Sequence, residues 1–262
     1  MKKTGVARSL AAAALLLAAC GSGDSGPVGG TGADVAILMM GNSHTSYNNL
    51  PGMVEQLVAD ARAPETAGAV EAPGWMFLED RYSHEPSLAL IRLQGWSFVV
   101  LQAQKYSSTG CCVYSTAEAE AFIRIAREQG AVPIMFPEWP RRDVDETMTI
   151  YDLHVSIAQS EPACVAPIGQ AWDLSLTRHP GIVLHAADGN HSAAPGALLT
   201  ALVLAATMTG VSPLDMPQLG GFGVAADDQA LLRAVAADTV AAWPPRAHCP
   251  DDPYPAPPPA GG

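Results

Sequence analysis

The chain has 262 residues, with 14 Lys and Arg against 26 Asp and Glu, a formal net charge of −12 and 48% hydrophobic residues. So few basic residues exclude a nucleic-acid binder, which needs clustered cations against phosphate, and the apolar fraction is too high for disorder throughout. The length suits one α/β domain, two small domains being the alternative.

Lys2, Lys3 and Arg8 precede an unbroken apolar run of ten residues, 10–19. A mature bilayer-spanning helix takes about 20 residues, so the run fits a secretory signal peptide instead. It ends in Leu17-Ala18-Ala19-Cys20-Gly21, which resembles the lipobox of bacterial lipoproteins. That resemblance implies cleavage before Cys20, lipidation of its sulfur and acylation of its new amine; several acyl chains anchor stably where one does not. Residues 21–32, rich in Gly and Ser, then read as a flexible tether. The expected organisation is a signal peptide over 1–19, lipidated Cys20 and tether over 20–33, one domain over 34–243 and a Pro-rich, irregular tail over 244–262. Loss of Lys2, Lys3 and Arg8 with the signal peptide would leave 11 basic against 26 acidic residues, or −15.

Residues 34–40 are apolar from Val35 onward, as in a strand buried on both faces. Apolar Leu50, Met53, Val54, Leu57 and Val58 recur at helical spacing, predicting a helix over 50–62. Further strands are predicted over 75–78, 98–101, 131–136 and 164–168, and helices over 87–93, 116–129, 145–159, 195–209 and 227–243. Thr116 can cap its helix and Gly130 stops it; Pro195 and Gly210 bracket another. The βαβα order predicts a parallel sheet with helices on both faces, whose site lies at the carboxyl ends of the strands.

The residues after those strands carry the chemistry. Gly41-Asn42-Ser43 follows the first strand and sets a hydroxyl at the sheet edge; no GxxxxGK[ST] phosphate loop is present. Asp188 and His191 stand three apart on a turn before the helix at Pro195. That spacing lets the carboxylate hold one imidazole nitrogen while the other takes a proton from a serine. Either piece alone could be an ordinary turn or cap. Together, in this order, they resemble the SGNH (GDSL-like) hydrolase superfamily, over residues 34–209. Leu101-Gln-Ala-Gln104 after the third strand resembles a GNS-type subgroup more closely.

The resemblance implies an α/β fold, a three-layer α/β/α sandwich around a central, mostly parallel five-stranded sheet of flavodoxin-like type. It implies Ser43 as nucleophile, His191 as general base and acid, and Asp188 as the orienting carboxylate. Its oxyanion hole combines the Ser43 amide, an amide after strand two and an Asn side chain after strand three. Here Gln104 stands where that Asn is expected, and Ser83 is the candidate in a second block lacking its Gly. Asn42, Gln102, His84 and Trp139 are candidate substrate contacts, and Trp75 and the loop over 106–108 candidate cleft walls. His44 reads as packing or rim, His154 and His248 as structural or solvated. A metal set of His185, Asp188 and His191 is the weaker alternative, since it would leave Ser43 without a base. Neither metal nor cofactor is expected.

With Cys20 lipidated, Cys111, Cys112, Cys164 and Cys249 admit three disulfide connectivities. Strand topology puts Cys111 and Cys112 at one sheet edge and Cys164 at the other, so the expectation is a vicinal Cys111–Cys112 bridge and a Cys164–Cys249 bridge pinning the tail. The expected function is a serine esterase, tethered to the bacterial envelope outside the cytoplasm, at the outer membrane or cell surface. It would be a monomer acting on a small-molecule or glycan ester such as an O-acetylated polysaccharide. A lipase, lysophospholipase or thioesterase, and a non-catalytic carbohydrate-binding lipoprotein on the same scaffold, are the alternatives.

Overall fold

A computed structural model describes residues 30–252. The signal peptide, Cys20, the tether up to residue 29 and residues 253–262 lie outside the described residues. The elements in chain order are β1 (Val35–Met40), α1 (Ser43–Ser46), α2 (Leu50–Arg62), β2 (Ala67–Glu71), α3 (Leu78–Arg81), α4 (Glu85–Ile91), β3 (Phe98–Leu101), α5 (Ala117–Glu128), β4 (Val132–Met135), α6 (Thr147–Ser160), β5 (Cys164–Val165), α7 (Ile168–Arg178), α8 (Ala194–Thr209) and α9 (Ala226–Ala242). The five strands pair in the order β2-β1-β3-β4-β5, all parallel.

Alternate residues of β1 point to opposite faces. Val35, Ile37 and Met39 pack with α2, α7, α8 and α9, while Ala36, Leu38 and Met40 pack with α3, α4, α5 and α6. Both faces are covered, which is why β1 reads as an uninterrupted apolar run. α8 is buried almost all round, from Gly196 to Thr209, so it has no polar stripe. Its first turn packs close to Trp172, where a Cβ on Gly196 would collide with the indole ring.

The second strand departs from expectation. It is Ala67–Glu71, not residues 75–78. An edge strand pairs on one side only and needs little side-chain bulk, so Ala-Gly-Ala-Val-Glu gave no strong strand pattern. Trp75 is instead 64% exposed in an irregular stretch, and Phe77 caps α3. A further helix, α7, occupies the region after β5, which itself is only two residues long.

Residues 244–252 of the tail form no helix or strand and pack onto the domain. Pro245 accepts from the Val165 amide (2.9 Å), extending the edge of the sheet beyond β5. Arg246 Nε donates to Thr207 O (3.1 Å), and Arg127 forms a bidentate pair with Asp252 (2.9 and 2.8 Å). Cys164 and Cys249 form a buried disulfide across 85 residues of sequence. The vicinal bridge is absent: Cys111 and Cys112 are free, exposed thiols. Adjacent cysteines meet disulfide geometry only in a distorted turn, and here Cys111 Sγ lies against Ser107 Oγ (3.4 Å).

Candidate active site

In this strand order the chain runs outward from β1 to β2 and then returns to β3 on the other side of β1. The carboxyl ends of β1 and β3 therefore flank the switch point where open α/β sheets bind ligands. Gly41-Asn42-Ser43 leaves β1 there, and Gln102 leaves β3 beside it.

Ser43 opens α1, with Asn42 as its N-cap; Asn42 Oδ1 accepts from the His44 amide (3.0 Å). The first amides of a helix have no acceptor within it, so the Ser43 N–H is available at the site. Gly41 is required by close approach, since a Cβ there would collide with Thr45 Oγ1 and Gln102 Oε1. Beneath the turn, fully buried Arg81 donates to the Gly41 carbonyl (2.5 Å), the Pro73 carbonyl (3.0 Å) and Ser87 Oγ (2.8 Å).

Ser43 Oγ lies 2.8 Å from His191 Nε2, and His191 Nδ1 lies 2.6 Å from Asp188 Oδ2. Asp188 Oδ1 also accepts from the Asn190 (2.9 Å) and His191 (3.0 Å) amides. The His191 hydrogen bond, with those two amides, holds the Asp188 carboxyl far below the usual carboxylate range. Tyr47 stacks on the His191 ring at 4.0 Å between centroids, and His44 lies 5.3 Å away on a near-parallel plane. Burial, then the neighbouring His191, lowers the His44 pKa to about 4, so His44 is neutral near pH 7. Asn48 and Asn49 adopt positive φ (55° and 54°), which Asn tolerates better than most residues. There Asn48 Nδ2 donates to Ser192 O (2.7 Å), tying the two turns together.

Ser43 and His191 open onto a cleft of about 630 Å³ whose walls include Asn42, Phe77, Lys105, Tyr106, Tyr114 and Glu138. A larger cleft of about 740 Å³ adjoins it across Arg141, but Ser43 and His191 line the smaller one.

Several expected site residues serve elsewhere. Gln104 Nε2 donates to the Lys105 (3.0 Å) and Ser115 (2.8 Å) carbonyls, so both its donors are committed to the loop and neither reaches the cleft. Ser83 follows a helix, not a strand, and its hydroxyl donates to Asp80 O (3.0 Å). His84 is paired with Ser87 Oγ (2.9 Å) and is not among the cleft walls. Gln102 is fully buried and cannot meet substrate. Trp139 is 1% exposed, stacked on Trp172 at 4.6 Å, with its indole N–H on Asn190 O (2.9 Å). His185 Nε2 is bonded to the Pro140 carbonyl (2.8 Å), so no metal set forms with Asp188 and His191. His154 is buried, with Nδ1 bonded to Ile150 O (2.8 Å).

Two residues of weight had no motif to mark them. Glu138 is half-buried on the cleft wall, where desolvation raises its carboxyl to about 7 against the lowering effect of a Gln102 hydrogen bond. Arg81 supports the serine turn from a helix forty residues away. An isolated Glu between two prolines and a buried Arg carry no sequence pattern; only their place after β4 and within α3 gives them meaning.

The three layers, the parallel sheet and the Ser-His-Asp set at its carboxyl edge define the SGNH hydrolase fold, which is the fold of this chain. It is similar to a solved protein from Slackia heliotrinireducens described as a candidate SGNH hydrolase (23% identity, TM-score 0.54, covering 66% of this chain and 98% of that one). It is also similar to a DUF4886 family protein from Bacteroides uniformis (15% identity, TM-score 0.63, covering 80% and 95%). No family model and no curated protein matches the chain.

Proposed function

We propose that the protein is a serine esterase. The observation that carries this reading is the continuous Ser43–His191–Asp188 hydrogen-bond chain, 2.8 and 2.6 Å, opening onto a cleft in an SGNH fold. Ser43 Oγ attacks the ester carbonyl as His191 Nε2 takes its proton. The Ser43 amide donates to the tetrahedral oxyanion, a donor of a kind worth about 2.7–4 kcal/mol. His191 then protonates the leaving alcohol, and water, deprotonated by His191, hydrolyses the acyl-enzyme. Asp188 fixes the tautomer and stabilises the imidazolium.

The substrate proposed is a short acyl ester, such as an O-acetyl group on carbohydrate. Phe77 (39% exposed) and Tyr114 (40%) give the cleft aromatic surfaces on which a sugar ring can stack. The test is labelling by a fluorophosphonate probe with the site mapped by mass spectrometry, beside hydrolysis of p-nitrophenyl acetate. Ser43→Ala should abolish labelling and lower turnover by at least ~10³-fold; equal rates would remove Ser43 as nucleophile. Preference for long p-nitrophenyl esters would turn the reading to a lipase or thioesterase.

The committed Gln104 amide and the absence of Ser83 from the cleft favour one rival, a non-catalytic carbohydrate binder on this scaffold. Failure to label, with retained glycan binding, would establish it. We further propose an extracytoplasmic protein anchored through lipidated Cys20. The Cys164–Cys249 disulfide supports an oxidising compartment. Radiolabelled palmitate should enter the parent and not Cys20→Ser.

A further inference from the structure

The stretch that follows β4, residues 138–142, touches both halves of the Ser-His-Asp set. It is stiff, because Pro137 and Pro140 fix their own φ and restrict the residues before them. On the serine side, Glu138 Oε2 accepts from Gln102 Nε2 (2.9 Å). Gln102 Oε1 in turn accepts from the Asn42 amide (2.8 Å) and the Thr45 hydroxyl (3.0 Å). This chain has a direction. The Asn42 N–H can only donate, so Gln102 must offer it oxygen. A carboxylate accepts, and a carboxylic acid still accepts at its carbonyl oxygen, so Glu138 takes the NH₂ end. A reversed amide would set donor against donor at Asn42 and acceptor against acceptor at Glu138.

On the histidine side, the Arg142 amide donates to Gly189 O (2.8 Å) and Arg142 Nη2 to Ala186 O (2.6 Å). Trp139 Nε1 reaches Asn190 O (2.9 Å), and His185 Nε2 donates to Pro140 O (2.8 Å). Gly189, at the tip of the Asp188–His191 turn, has φ +73° and faces Arg142 Cβ.

We infer that residues 138–142 form a clamp that sets the alignment of Ser43 with His191, with Glu138 and Arg142 as positioning residues. Glu138 acts through Gln102 on the serine turn, and Arg142 acts on the turn that carries Asp188 and His191. The inference rests on the serine esterase reading for its kinetic readout and on geometry alone for its structural one. A displacement of about 1 Å in such an alignment costs up to ~100-fold in rate.

The experiment compares Glu138→Leu, Glu138→Gln and Arg142→Met with the parent. E138L and R142M should lower kcat and the rate of fluorophosphonate labelling by ~10-fold, with KM changed less than about twofold. E138Q should stay within about twofold of the parent, since its amide oxygen still accepts from Gln102. Crystal structures of the variants read the Ser43 Oγ–His191 Nε2 separation without any ester: it should open beyond hydrogen-bond reach in E138L and R142M and persist in E138Q. An unchanged separation with unchanged labelling overturns the clamp, as does an E138Q as impaired as E138L. Arg142 is exposed, so R142M tests the second arm by itself should E138L fold poorly. A parent inert to probe and esters, with variants whose separation widens, would keep the clamp and remove the esterase reading.

Discussion

Around Ser43 the supporting groups are mainly buried side chains reaching in from other elements; around His191 the turn's own backbone and a carboxylate whose side chain is 48% exposed share the support with exposed Arg142 and the Trp139 indole. Gln102 and Arg81 are fully buried, and each satisfies backbone groups of the serine turn. Asp188 instead closes its turn locally, onto Asn190 and His191. The difference separates stability from chemistry. Damage to the serine turn leaves buried polar groups unpaired, which costs folding energy. Damage to the histidine turn leaves fewer buried groups without partners, so on the serine esterase proposal its cost falls mainly on catalysis.

Asp188→Asn is the severest test on the catalytic side. Oδ1 can still accept the two amides, but an NH₂ group replaces the acceptor at His191 Nδ1 and reverses the tautomer. Turnover of p-nitrophenyl acetate should fall on the order of 10³–10⁴-fold, while the thermal unfolding midpoint stays close to the parent's, because an exposed charge pair adds little stability. A large loss of stability would erase the contrast between the two turns.

Arg81→Met should do the opposite. It leaves the Gly41, Pro73 and Gly74 carbonyls without their charged donor, and chemical denaturation should show a loss of about 3 kcal/mol. A variant as stable as the parent would mean that the serine turn stands without buried support.

Glu138→Gln sharpens the comparison through pH. The folded carboxyl titrates at about 7, above its ordinary 4.5. The folded state therefore holds a proton that the unfolded chain has released, and stability is lost as pH rises from 4.5 to 7. Gln carries no such cost. Relative to the parent, E138Q should gain up to about 3 kcal/mol between pH 4.5 and pH 8, measured by denaturant titration at both. His44 runs the other way: its folded pKa of about 4 lies below 6.5, so its contribution is present above 6.5 and lost as pH falls towards 4.

The smallest effect belongs to Ser83→Ala. Its hydroxyl serves Asp80 O, outside the cleft, so turnover should stay within about twofold. A loss near 10²-fold would restore Ser83 to an oxyanion role.

Much of this architecture was legible from local pattern. β1 and β3 are short apolar runs, α2 and α5 carry apolar residues at helical spacing, and Gly41-Asn42-Ser43 and Asp188-Gly-Asn-His191 stand in the order a serine site needs. β2 was not legible, because an edge strand of Ala and Gly has no bulk to signal it. The misplaced strand then carried Ser83 and His84 towards a site they do not join. Gln104 failed for a different reason: residue type and position after β3 allowed a donor at the cleft, and only the packed loop turned its amide onto Lys105 and Ser115.

By itself, then, the sequence determined the layered parallel fold, the serine turn, the Asp-x-x-His turn and the pairing of Cys164 with the tail, because each follows from periodicity, turn chemistry or strand order. Tertiary structure alone decided which groups hold those turns. Gln102, Glu138, Arg81 and Arg142 act through hydrogen bonds between segments 36 to 60 residues apart, and the direction of a side-chain amide is set by the donors and acceptors that folding brings to it.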